Sequence, residues 1–78
     1  MHIKILGSGC KKCIALADNT KIAAQTTGID VEIEKVTDIV AIAGYGIMST
    51  PGLVIDEKVV SSGRVLSAPV ICQLLQDA

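Results

Sequence analysis

The chain has 78 residues and a formal net charge of −1, and half of its residues are apolar. That length allows one domain with a small core, and a mean hydropathy of +0.56 excludes a disordered chain. The apolar set is aliphatic, with no Phe, no Trp and one Tyr, and the basic residues are scattered, which together exclude nucleic-acid binding by phosphate neutralisation or base stacking.

Ile3 to Leu6 reads as a first strand. A Gly7-Ser8-Gly9 hinge follows, and Cys10-Lys11-Lys12-Cys13 opens a helix that runs to about Thr27 and stops at Gly28, a residue suited to the left-handed conformation past a helix end. Cys13, Leu16, Thr20, Ala23 and Thr27 recur on it at three- and four-residue steps, a small-residue seam that lets the helix approach a sheet closely. Ile14 and Ile22 lie off that seam, either as scattered surface apolars or as a strip for a partner beside the cysteines.

Val31 to Val36 alternates in its first four residues, as a strand with one wetter face does. The helix between the first two strands excludes a tight hairpin and permits a right-handed parallel crossover. Thr37 is expected to cap a second, short helix from Asp38 to Tyr45, with Ile39, Ile42 and Ala43 facing inward and Gly46 ending it. Ser49-Thr50-Pro51-Gly52 then introduces Leu53-Val54-Ile55. The polar Asp56-Glu57 pair and Lys58-Val59-Val60-Ser61 complete an antiparallel hairpin. Ser67 can cap a last helix, with Pro69 in its first turn and Ile71, Leu74 and Leu75 facing inward. The order is β-α-β-α-β-β-α.

Two cysteines separated by two residues at a strand-to-helix junction can close a small disulfide ring. The unpaired N–H groups at a helix start also favour a thiolate. Three cysteines with one close pair do not make the even, dispersed set of a disulfide-stapled secreted domain. Strand-like residues begin at His2 with no leader before them, and apolar runs are short, so a cytoplasmic protein off the membrane is expected.

The β-α-β-α-β-β-α order, with Cys-x-x-Cys opening the first helix and Thr-Pro before the third strand, resembles the thioredoxin fold. The nearest likeness is to the minimal thioredoxin/glutaredoxin-like proteins of archaea and bacteria, the small redox-active disulfide proteins. The carriers are Gly7-Ser8-Gly9-Cys10-Lys11-Lys12-Cys13, Thr50-Pro51-Gly52-Leu53 and Ser62-Gly63-Arg64-Val65. Two features depart from larger relatives. Gly9 and two lysines stand where full-size thioredoxins carry Trp-Cys-Gly-Pro-Cys, and Ser62-Gly63-Arg64 matches a Gly-Gly glutathione site poorly. The resemblance implies a three-layer α/β fold with a four-stranded mixed sheet, a cis Thr50–Pro51 bond beside the disulfide, and thiol–disulfide exchange. It implies no cofactor beyond the Cys10–Cys13 couple. Its partners would be disulfide-containing client proteins and a reductase, and the chain is expected to be a monomer.

Exchange requires a thiolate, a second thiol to resolve the mixed disulfide, and a surface that holds the partner chain. Cys10, at the helix start, takes the nucleophile role, and Cys13, on the inward seam, the resolving role. Lys11 and Lys12 either tune the thiolate or are simply solvated. Pro51 either begins an edge strand or, as the resemblance implies, lets Thr50 pair with an extended substrate segment. Cys72 reads as a small half-buried apolar residue, His2 as remote from the cysteines, and Tyr45 as core edge or site rim. The rival function is soft-metal carriage, since two thiolates suit Cu(I) or arsenite. A structural zinc site lacks two further ligands. Cys10 is therefore expected to ionise below the ordinary cysteine value. Titration of thiolate absorbance checks this, and ionisation in the ordinary range or above contradicts it.

Overall fold

The computed structural model describes residues 1–7, 11–47 and 49–77, so the hinge residues Ser8 and Gly9 and the expected nucleophile Cys10 lie outside the described residues. The elements run β1 (His2–Leu6), α1 (Lys11–Thr27), β2 (Glu32–Val36), α2 (Ile39–Gly44), β3 (Gly52–Ile55), β4 (Lys58–Ser62) and α3 (Ala68–Asp77). They build one mixed four-stranded sheet in the order β2-β1-β3-β4. β1 pairs parallel with β2, His2 opposite Glu32 through Leu6 opposite Val36. It pairs antiparallel with β3, Ile3 opposite Ile55 through Leu6 opposite Gly52. The parallel pair is the crossover that the long intervening helix permits.

Strand parity divides the core into two layers. Ile3, Ile5, Leu53 and Ile55 point to one face and pack with Leu16, Ala17, Ala23, Ile71 and Leu75 from α1 and α3. Leu6 and Val54 point to the other face, where Ile42 of α2 covers them with Val36, Tyr45 and Ile47. With helices on both faces, interior strand β3 reads as a continuous apolar run with all four residues buried, whereas β1 alternates and keeps His2 and Lys4 half-buried. Small residues on α1 permit its close approach. Its buried hydroxyl, on Thr20, is satisfied by donating to the Leu16 carbonyl at 2.7 Å. α1 ends at Gly28, which has φ +71° and donates its N–H to the Ala24 carbonyl at 3.0 Å, a conformation glycine adopts without a Cβ penalty.

Three local expectations are corrected. The cap of α2 is Asp38, not Thr37: its carboxylate accepts from the Val40 N–H at 3.0 Å, so the helix starts one residue later than expected. Of the three residues expected to face inward on α2, only Ile42 is buried. Ile39 is 77% exposed and Ala43 is exposed as well, because a six-residue helix makes fewer than two turns and seats one residue on the sheet. Pro51 does not begin an edge strand, since β3 is an interior strand and Pro51 precedes its first paired residue. Leu74 is half-buried beside the fully buried Ile71 and Leu75. Among the described residues no helix is long and apolar enough to cross a membrane.

The β3–β4 hairpin turns through Asp56 and Glu57, both at positive φ (48° and 70°), as a two-residue turn matched to strand twist requires. Without glycine there, side chains hold the turn. The Asp56 carboxylate accepts from the His2 N–H at 2.9 Å. Lys4 Nζ lies 2.7 Å from Glu57 and donates to Tyr45 Oη at 2.7 Å. Tyr45 Oη in turn donates to Glu57 at 3.2 Å. Tyr45 is thus a core-edge residue that ties α2 to the turn.

The Lys4 bond holds the Glu57 carboxyl below the ordinary value of 4.5. Hydrogen bonds to Glu57 and Tyr45 hold the Lys4 ammonium above the usual lysine range. A depressed carboxyl contributes stability above its unfolded value and loses it as pH falls through the native one; a raised ammonium does the reverse at the alkaline end. Below pH 4.5 the protein should therefore lose stability more steeply than Glu57→Gln does. Urea midpoints at neutral and acid pH for both proteins check this, and the effect is small because Glu57 is 65% exposed.

Candidate functional site

The parallel pairing of β1 with β2 and the antiparallel pairing of β1 with β3 bring several chain ends to one edge of the sheet. β1 and β2 finish there at Leu6 and Val36, β3 starts at Gly52, and β4 finishes at Ser62, opposite Gly52. Gly7 extends the β1 ladder by donating its N–H to the Val36 carbonyl at 2.9 Å. α1 begins four residues later at Lys11.

Cys13 lies in the first turn of α1 and is 5% exposed, as its place on the seam predicts. Its sulfur rests directly on the bare α-carbon of Gly7. A Cβ built there would overlap Cys13 Sγ and would lie 3.8 Å from the Thr50 Cβ. Cys13, Gly7 and Thr50 are therefore neighbours, although 37 positions separate Cys13 from Thr50 in the chain. Thr50 is exposed and Pro51 is buried, the bond between them is cis, and the Pro51 carbonyl accepts from the Gly63 N–H at 2.8 Å. The Ser62-Gly63-Arg64 segment thus lies against the Thr50-Pro51 loop.

On the α1 side of the sheet a small pocket of about 30 Å³ opens beside the sulfur, lined by Ile5, Gly7, Cys13, Ile14, Lys35 and Thr37. It has room for a water, and Cys13, Lys35 and Thr37 are the residues of its lining that carry polar side-chain groups. Lys35 reaches the pocket because it pairs with Ile5 in the parallel register. Half-exposed Ile14 joins the site, while Ile22, two turns along α1, does not line the pocket. Lys11 and Lys12 are exposed in the first turn of α1, which carries no acidic residue.

The other residues singled out from sequence lie elsewhere. Cys72 is half-buried on α3 and donates to the Ala23 carbonyl of α1 at 3.6 Å. Ala23 is ten residues past Cys13, about 15 Å at the rise of an α-helix. His2 sits at the far end of β1 with its Nε2 3.5 Å from Glu34. Lys35, Thr37 and Gly7 as a contact residue were missed in the sequence. The alternation of β2 carries the signal for the first two: Val31 and Ile33 pack on the α1 layer, and two-residue steps from them give Lys35 and Thr37.

Gly7→Ala should destabilise the fold by about 1–3 kcal/mol, the usual cost of overpacking. In a Cys13→Ala background, where the overlapping sulfur is gone, the same substitution should cost much less. Denaturant midpoints of the four proteins form the cycle, and an undiminished penalty would mean that the sulfur contact is not its cause.

Comparison with known proteins adds to this geometry. The family model described as thioredoxin domain matches residues 1–76. A thioredoxin of Methanocaldococcus jannaschii is 40% identical over 74 residues, covering 95% of this chain and 85% of its own. A thioredoxin of Methanothermobacter thermautotrophicus is 37% identical over 75 residues, covering 96% of this chain and 97% of its own. With a buried helix-start cysteine packed on the end of the first strand, a Thr-Pro loop beside it and this similarity along nearly its whole length, the chain belongs to the thioredoxin domain family.

Proposed function

We propose that this protein is a thiol–disulfide oxidoreductase that exchanges a Cys10/Cys13 dithiol with the disulfides of client proteins. The carrying observation is the seat of Cys13, three residues after Cys10 in the chain, whose sulfur packs on Gly7 just past the end of β1, with Thr50 close by. Relatives named thioredoxin support the same class of chemistry.

In this reading the Cys10 thiolate attacks one sulfur of a client disulfide. A mixed disulfide forms, the client S–S bond breaks, and one client thiolate leaves. Cys13 gives up its proton and attacks the Cys10 sulfur, which releases the second client thiolate. The client gains two electrons, the protein is left with a Cys10–Cys13 disulfide, and an external dithiol or reductase restores it. Cys10 directly precedes Lys11, Lys12 and the start of α1 in the chain, and cations and helix-start N–H groups favour the anionic form of a cysteine so placed. Thr50, exposed beside Cys13, offers its backbone to an extended client segment.

The test is insulin reduction by dithiothreitol. The protein should accelerate it, and Cys10→Ser should return the rate to the dithiothreitol background. Cys13→Ser cannot resolve the first adduct and should accumulate mixed disulfides at Cys10, visible as mass additions that reductant removes. No acceleration by the unmodified protein, or no adducts on Cys13→Ser, would overturn the assignment.

A further inference from the structure

The charges of this chain are sorted along the strands. Of its seven Lys and Arg side chains, four (Lys11, Lys12, Lys35 and Arg64) lie at the edge where Cys13 sits. Lys35 lines the pocket beside the sulfur, Lys11 and Lys12 occupy the turn of α1 that holds it, and Arg64 follows Gly63, the residue bonded to Pro51. All four are exposed. Asp38 is the carboxylate at this edge, and it is engaged in capping α2.

The opposite edge is acidic. Asp30 and Glu32 adjoin Met1 and His2 there, Asp56 bonds the His2 N–H, Glu57 pairs with Lys4, and Asp77 lies near Ile55 and Lys58. A net charge of −1 thus conceals a cationic site edge and an anionic far edge.

Local helix physics makes this placement more telling. The start of a helix is its positive end, so Lys11 and Lys12 oppose the dipole at a place where an acidic residue would be favoured. No acid in the first turn of α1 offsets them. An anionic guest would.

Granted thiol–disulfide exchange at this site, on which the inference rests, we propose that the rim of Lys11, Lys12, Lys35 and Arg64 selects client polypeptides whose disulfide is flanked by Asp or Glu. An extended client segment laid along Thr50 advances about 3.3 Å per residue, so carboxylates a few residues to either side of its cystine meet cations on both sides of Cys13. Such complementarity acts chiefly on encounter, raising the association rate and rejecting basic clients by like-charge repulsion. The exchange itself is unchanged: the client disulfide is reduced to two thiols and the Cys10/Cys13 dithiol is oxidised.

The experiment uses the full-length reduced protein and three synthetic disulfide peptides that differ only in the residues flanking the cystine, which are Glu, Gln or Lys. Each rate of thiol release is divided by the rate at which free dithiothreitol reduces the same peptide. This correction removes the intrinsic effect of flanking charge, since acidic flanks raise the leaving thiol's pKa and slow its departure. The Glu peptide should react about tenfold or more faster than the Lys peptide at low ionic strength, and the ratio should fall toward one in 0.5–1 M salt, as screening of exposed charges demands. The double variant Lys35→Glu/Arg64→Glu, at exposed positions where folding is readily checked by circular dichroism, should lower the ratio sharply.

Equal corrected rates for the Glu and Lys peptides, or a ratio untouched by the double variant, would overturn the selection while leaving exchange standing. Failure to reduce any of the three would strike the exchange reading, and the selection with it.

Discussion

A cysteine sulfur seated on a bare α-carbon sets the geometry of this protein's working edge. Because Gly7 has no side chain, the first turn of α1 can descend until Cys13 Sγ touches the backbone that continues β1. Gly7 is itself fixed by its hydrogen bond to the Val36 carbonyl, so the contact is anchored in the sheet. The position of the helix follows from it, and with the helix the orientation of every N–H group at its start. The nearness of Thr50 follows too, because β3 is hydrogen-bonded to the same strand.

The rest of the fold serves that edge by division of faces. Odd-numbered positions of β1 feed the layer beneath α1 and α3, and even-numbered positions face α2. A slip of one residue in the β1–β3 register would drive Lys4 toward the aliphatic layer and expel Ile5, so the pattern specifies one pairing strongly. Covering both faces of β1 and β3 leaves the exposed polar chemistry to strand ends and loops. There four of the seven basic side chains gather at one edge and most of the carboxylates lie toward the other, with Lys4 and Lys58 among them, a sorting that neither layer of the core requires.

Much of this was legible in the chain. Element order, the parallel crossover, the hairpin and the inward seam of α1 followed from periodicity and turn residues, since these are local consequences of burial. The exposed Lys11 and Lys12, the buried Cys13 and the half-buried Cys72 also followed. Errors clustered where a single contact decides the outcome. Thr37 and Asp38 are both competent caps, and it is the Asp38 carboxylate that meets the Val40 N–H. Ile39 has the composition of a core residue, yet α2 is too short to seat it. Lys35 and Gly7 were overlooked as site residues because their partners, Ile5 and Cys13, are met only through strand register and helix descent, which one sequence does not spell out.

The aliphatic core has an optical consequence. Tyr45 is the only Phe, Tyr or Trp in the chain, and its hydroxyl accepts from the Lys4 ammonium at 2.7 Å, on the face that α2 covers. With no indole in the chain, the Tyr45 phenol is its fluorophore, placed to report the contact of α2 with the hairpin turn that Lys4 and Glu57 make through its hydroxyl. Two events that other chains blur into a single signal are thereby reported by separate chromophores, the phenol for unfolding and the thiolate for chemistry.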